Sequence, residues 1–153
     1  TSRRATQRAR AGSAMFKHIL VPIDLSGRHA RALTAALALA RQSRARVTLL
    51  HVIQSVQNIP PGELGDFYRE LARASLRKLE RVAKRFQAKR VGVRTELTIG
   101  EPAREIVRLA AKRRADLVVM GSHEVRPGRP STGWGTTSYK VGIFCRCPIL
   151  LVK

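Results

Sequence analysis

The sequence reads as one α/β domain, a single five-stranded parallel sheet with helices on both faces. Three observations predict it. Short apolar runs rich in β-branched residues alternate with segments of helical periodicity, in the order β-α-β-α-β-α-β-α-β. Apart from residues 93–99, the runs are predominantly apolar rather than apolar on every second residue, as strands covered on both faces must be. At 153 residues the chain lies near the commonest single-domain size and can bury one sizeable core.

Residues 18–23 (HILVPI) and 47–53 (VTLLHVI) are the first two strands. Between them Ala32, Leu33, Ala36, Leu37 and Ala40 recur at helical spacing, with Arg28, Arg31 and Arg41 on the solvent side. Residues 54–62 hold two prolines and a glycine and read as loop. A long helix follows, in which Leu64, Phe67, Leu71, Leu79, Val82 and Phe86 form one stripe expected to lie in the core. Residues 93–99 alternate as a third strand. Gly100, Glu101 and Pro102 then supply a turn and a proline suited to the first turn of a helix, whose apolar face is Ile106, Val107, Leu109 and Ala110. Residues 117–120 are a short apolar strand, 121–135 a loop rich in Gly, Pro and Ser, 136–144 a short helix and 148–152 the fifth strand.

The formal charge of +20 favours nucleic acid, anionic lipid or a phosphorylated ligand without choosing among them. Part of it sits in residues 1–14, where Arg3, Arg4, Arg8 and Arg10 alternate with small residues and no apolar period is visible. That stretch is expected to be a disordered basic arm, an upstream extension or an artificial leader, with the folded domain spanning 15–153. No apolar run approaches the roughly 20 residues a bilayer crossing needs. A secretory signal is not expected, because no apolar stretch precedes Met15 in residues 1–14. The two cysteines, Cys145 and Cys147, are too few for a disulfide framework and lack the further ligands of a structural zinc site. They read as packing residues in a soluble cytoplasmic protein.

Residues 120–138 carry the candidate ligand site. A phosphate-binding loop needs glycines that let backbone N–H groups approach the anion, and it gains from a following helix amino terminus. Gly121, Gly128, Gly133 and Gly135 answer the first need; Thr136, Thr137 and Ser138, at the start of the last helix, answer the second. No G-x-x-x-x-G-K-[ST] occurs, and the run 133–138 ends in Ser where a dinucleotide fingerprint has Gly.

Several features, taken in order, resemble the universal stress protein family over residues 15–153. They are HILVPIDLS with Asp24 after the first strand, LLHVI in the second, the Gly100-Glu101-Pro102 turn, DLVVMGSH at 116–123 and CPILLV at 147–152. The resemblance implies an adenine nucleotide alpha hydrolase-like, Rossmann-like fold. It also implies a G-x2-G-x9-G-[ST] motif after the fourth strand that cradles nucleotide phosphates. Here Gly121 matches the first glycine and Gly135-Thr136 the final pair. Glu124 stands at the second glycine, and one extra residue lies before Gly135, which leaves Gly128 as the substitute. A desolvated carboxylate there would repel phosphates by a few kcal/mol, and far less if it turns to solvent or pairs with Arg126 or Arg129.

The implied ligand is ATP or AMP in a regulatory role, with magnesium as an optional companion. Pro22, Ile23, Asp24 and Val52 would face the nucleoside; Met120, Gly121, His123, Gly135, Thr136, Thr137 and Ser138 would face the phosphates. Some residues in and near this set have plainer alternatives. Asp24 could cap the first helix, His123 could be merely solvated, and Trp134 could anchor the loop on the core. His51 reads as a satisfied histidine at the sheet end; His18 and His29 carry no functional expectation. Catalysis beyond slow ATP hydrolysis is not expected, because Asp24, Glu124 and His123 form no recognisable constellation. The family further implies a homodimer through the fifth strand, with an unknown protein partner. The competing reading is a dimeric interaction module that has lost its nucleotide; nucleic-acid binding through the basic surface is the third and least expected reading, and membrane insertion is not expected.

Overall fold

The computed structural model describes residues 14–55, 61–122 and 136–153. The sequence-expected basic arm therefore lies outside the described residues except for Ala14. Five strands, β1 (His18–Pro22), β2 (Arg46–Gln54), β3 (Val93–Gly100), β4 (Leu117–Gly121) and β5 (Ile149–Val152), form one sheet in the order β3-β2-β1-β4-β5. Every pairing is parallel. Among the described residues four helices accompany them: α1 (Ala30–Ser43), α2 (Pro61–Gln87), α3 (Pro102–Lys112) and α4 (Thr137–Phe144). The fold class predicted from the sequence is the one observed.

Alternation along β1 divides the core. Ile19 and Val21 point to one face, where α1 and α2 pack, and Leu20 points to the other, where α3 and α4 pack. On α1 the buried residues Ala32, Ala36 and Ala40 recur every fourth position, so a stripe of methyl groups lets the helix axis approach the sheet closely. On α2, Leu79 and Phe86 are fully buried, each contributing about 1.5–3 kcal/mol relative to exposure. Cys145 and Cys147 pack at the edge of the second core as expected, Sγ to Sγ 3.4 Å. Burial, reinforced by its hydrogen bond with Cys145, pushes the Cys147 thiol up to about 12, which keeps it protonated and inert.

The expected core stripe of α2 needs correction at Phe67 and Leu71, and the Leu64 side chain lies outside those described. Phe67 is 54% and Leu71 37% exposed. A helix of 27 residues runs about 40 Å, whereas the 8 residues of β3 beneath it span about 26 Å. The amino-terminal turns of α2 therefore overhang the sheet. Among the described residues no helix is long and apolar enough to cross a membrane.

Helix ends follow local chemistry. Glu101 caps α3 by accepting from the Arg104 N–H at 2.7 Å, with Pro102 in the first turn. Thr136 caps α4 by accepting from the Tyr139 N–H at 3.3 Å. His18, at the start of β1, is 4% exposed; its Nδ1 lies 2.9 Å from the Arg113 carbonyl, to which it donates, leaving Nε2 to accept from Thr48 Oγ1 at 2.8 Å. Burial chiefly, aided by the nearby Arg46 and Arg113 charges, lowers the His18 pKa below the ordinary imidazole value and keeps the ring neutral.

Candidate functional site

From β1 the chain winds outward through β2 and β3, then returns to lay β4 and β5 on the opposite side of β1. Strand direction of growth reverses between β1 and β4, and crevices for ligands open beyond the carboxyl ends of the strands at such a point. A cleft of about 470 Å³ lies there. Pro22, Ile23, Asp24 and Val52 line the side formed by the ends of β1 and β2; Met120, Gly121, Thr136, Thr137 and Ser138 line the side formed by the end of β4 and the start of α4. His123 and Gly135, together with Glu124 and the rest of 123–135, lie outside the described residues.

The hydroxyl side of the cleft is an interlinked group. Ser138 Oγ lies 3.3 Å from Thr136 Oγ1 and 3.4 Å from Ser122 Oγ, and Ser122 donates its N–H to the Val152 carbonyl at 2.9 Å. These contacts hold the first turn of α4 against the ends of β4 and β5. The positive end of the α4 backbone dipole and several hydroxyl donors therefore face one volume, an arrangement suited to an anion.

The opposite side is anchored by two histidines. His51 donates from Nδ1 to the Ile23 carbonyl at 2.8 Å, tying the end of β1 to β2, as expected of a satisfied sheet-end histidine. Asp24 does not cap α1. Leu25 and Gly27 take left-handed φ values of 61° and 80°, which carry the chain through a loop and delay the helix until Ala30, with His29 as its cap residue and no side-chain capping bond. The Asp24 carboxylate instead accepts from the Ser26 N–H at 2.9 Å and the Ser26 hydroxyl at 2.6 Å, and lies 3.1 Å from His29 Nε2. Burial raises the Asp24 pKa, but the Ser26 hydrogen bonds and the His29 and Arg28 charges outweigh it and hold the carboxyl below its ordinary range.

His29 was missed by sequence reasoning, yet it lines the cleft and sets its shape. Its imidazole lies so close to Gly121 that a Cβ there would come within 2.5 Å of His29 Cγ and 2.6 Å of Cε1, and closer still to Nδ1. The φ of Gly121 is not left-handed. The glycine is thus demanded by the ring in front of it and not by its own backbone. Gln54, Pro102 and Ile106 also line the cleft. A proline opening the helix after the third strand was the available sign for Pro102; nothing in the sequence marked His29 or Gln54.

Comparison with known proteins gives a consistent answer. Residues 15–153 match the family model described as the universal stress protein family. Universal stress protein YxiE of Bacillus subtilis is 31% identical, covering 91% of this chain and 100% of its own length. The solved structure of the hypothetical protein MJ0577 is 26% identical, covers 91% of this chain and 96% of that one, and superposes with a TM-score of 0.74. A universal stress protein of Archaeoglobus fulgidus, solved in complex with dAMP, shares the fold at a TM-score of 0.65 and 18% identity, covering 90% and 98% of the two chains.

Proposed function

The chain belongs to the universal stress protein family, and from that membership we propose that it binds an adenine nucleotide, ATP or AMP, as a regulatory ligand in the cleft between the ends of β1 and β4. The observation that carries this reading is the convergence, on one cleft at the strand-order reversal, of residues the family motif would assign to a nucleotide. Ile23 and Val52 offer apolar surface for a base, and the hydroxyls of Thr136, Thr137 and Ser138 at the start of α4 offer donors to phosphate oxygens. The Archaeoglobus fulgidus relative is described with an adenine mononucleotide, a ligand of the same class. Among the described lining residues Asp24 is the one carboxylate, and Ser26 and His29 already engage it, so a magnesium ion arriving with ATP would be held chiefly by the phosphates.

The test is direct. The purified protein is denatured, the released small molecules are identified by mass spectrometry, and the emptied protein is titrated with ATP, ADP and AMP by calorimetry with magnesium. A co-purifying adenine nucleotide, or saturable binding that weakens when Thr136 and Ser138 are both changed to Ala, supports the proposal. An empty site together with no heat from any of the three nucleotides sinks it.

That negative result would favour the second reading, a dimeric interaction module without nucleotide. Glu124 at the motif's second glycine and the His29 ring occupying the space in front of Gly121 are the observations on its side. Both readings include a homodimer. β5 ends the sheet with Leu150 38% and Leu151 41% exposed, and Ile143 and Phe144 just before it are 57% and 67% exposed. An apolar edge strand of this kind invites pairing with another copy. Free thiols at Cys145 and Cys147 accord with a reducing cytoplasm.

A further inference from the structure

The end of the sheet opposite the nucleotide cleft is rich in cations. In a parallel sheet the helix carboxyl ends and strand amino ends meet at one end, here through the junctions α1 to β2, α2 to β3 and α3 to β4. Each junction contains one residue with left-handed φ, and each time it is an arginine: Arg44 at 55°, Arg90 at 59° and Arg114 at 52°. Glycine is the ordinary occupant of such a position, because a Cβ there is crowded against the following carbonyl. The chain accepts that strain three times at equivalent places, and each time it places a guanidinium on the surface.

Other cations surround these three. Arg41, Arg44, Lys89 and Arg90 line a concavity of about 230 Å³. A neighbouring one of about 430 Å³ is lined by Arg46, Arg94, Lys112, Arg114 and the half-buried Arg113. The carboxylates at this end are already engaged. Asp116 accepts from the backbone N–H groups of Lys17 and His18 at 2.8 and 3.1 Å, and Glu96 pairs with Arg113. Among the described residues none of Arg41, Arg44, Arg46, Arg90, Arg94 and Arg114 is in an ion pair. Cations in the last turn of a helix offset the backbone dipole, which accounts for Arg41 and Lys112. It does not account for Arg46 and Arg94, which sit on strands, nor for arginine where glycine would relax the backbone.

We propose that this face is a docking surface for the phosphodiester backbone of duplex nucleic acid, bound without regard to base sequence. Guanidinium forks match phosphate oxygens two at a time. Two adjoining concavities of one sign of charge focus the field on a polyanion. Neither concavity is lined by an exposed large apolar side chain, so the face lacks the wedge that a membrane-surface site inserts among acyl chains. The surface is separate from the nucleotide cleft and does not depend on it.

The experiment measures binding of the full chain to a fluorescent 20-base-pair duplex of arbitrary sequence, between about 50 and 200 mM salt, the range over which phosphate neutralisation dominates the response. The test variant is Arg44→Gly with Arg90→Gly and Arg114→Gly, which removes three charges while relaxing three left-handed residues. Its melting temperature should equal or exceed that of the parent. Its log–log salt slope should be shallower by about 2.7, at about 0.9 for each phosphate no longer neutralised. If the triple variant does not fold, Arg46→Gln with Arg94→Gln is read instead, with the slope shallower by about 1.8 on the same basis. No binding at 50 mM salt, or a slope unchanged in the folded variant, overturns the proposal; an unchanged slope would assign binding to other cations such as those of residues 1–14. Tighter binding to phosphatidylserine vesicles than to the duplex at equal phosphate concentration, abolished in the same variant, overturns it in favour of a lipid surface.

Discussion

Replacing Gly121 by Ala tests whether His29 dictates the shape of the cleft. The added methyl would overlap the imidazole, and the overlap can be relieved in two ways. If His29 swings aside, its pairing with Asp24 at 3.1 Å is broken; because the Asp24 side chain is 41% exposed, that pairing is worth about 0.2–1 kcal/mol at most after solvent screening. If the ring stays, overpacking costs about 1–3 kcal/mol. Gly121→Ala should therefore destabilise by up to about 1 kcal/mol if the ring moves and by about 1–3 kcal/mol if it stays, the latter a fall of about 2–12 °C in melting temperature for a domain of this size. In a His29→Ala background the obstacle is gone, and because the Gly121 backbone is not left-handed the same change should be neutral or stabilising by up to about 1 kcal/mol. Urea unfolding of the two single variants and the double variant gives the coupling energy, expected to exceed about 0.5 kcal/mol. Additive effects within about 0.5 kcal/mol would refute the reasoning and return Gly121 to a purely backbone role.

Thr136→Ala removes the cap of α4 and should cost about 1 kcal/mol by urea unfolding, with Thr136→Ser retaining most of it. Phe86→Ala, at a residue 1% exposed, should cost about 3–5 kcal/mol, whereas Phe67→Ala on the overhanging turns of α2 should cost under about 1 kcal/mol. Because the folded His18 pKa lies below its unfolded value, the unfolded chain binds the extra proton first. Its contribution to stability is therefore present above about pH 6.5 and is lost as pH falls below that value toward the folded pKa; unfolding of the parent and of His18→Gln across pH 5 to 8 should show this increment only in the parent. Leu150→Arg with Leu151→Arg on the edge strand should convert a homodimer to monomer in sedimentation velocity, and a parent that sediments as a monomer would remove β5 from the account.

The sheet was legible because its signal is local. A short, predominantly apolar run must be covered on both faces whatever surrounds it, so alternation of such runs with helical periodicity leaves few architectures. The α2 helix shows where that logic stops. Periodicity places Phe67, Leu71, Leu79, Val82 and Phe86 on one stripe, and they do share it; only Leu79, Val82 and Phe86 meet the sheet. Whether a stripe is covered depends on the reach of the opposing strand, a length fixed by a different part of the chain. The short helix α3 escaped the error because its 11 residues span no more than the strands beneath it.

The site divides along the same line. Thr136, Thr137 and Ser138 were found because a run of hydroxyls opening a helix after a glycine-rich loop announces its chemistry within a few residues. His29 was not, because nothing near it marks it as more than a surface residue at the start of a helix. It acquires a role only when the strand order sets the end of β4 beside the end of β1, bringing Gly121 under the ring. The three left-handed arginines are a further step removed: each looks like an ordinary basic residue after a helix, and their equivalence emerges only when three successive junctions are seen to share one end of a parallel sheet. A glycine whose backbone does not need to be glycine and an arginine whose backbone would prefer glycine are complementary anomalies. Each points to a side chain whose position, rather than whose local conformation, has been favoured, and they lie at opposite ends of the same sheet. The two proposed activities, ligand binding at the cleft and polyanion binding at the far end, should therefore be separable, and the Gly121 and Arg44 series of variants should show no cross-effect between the two.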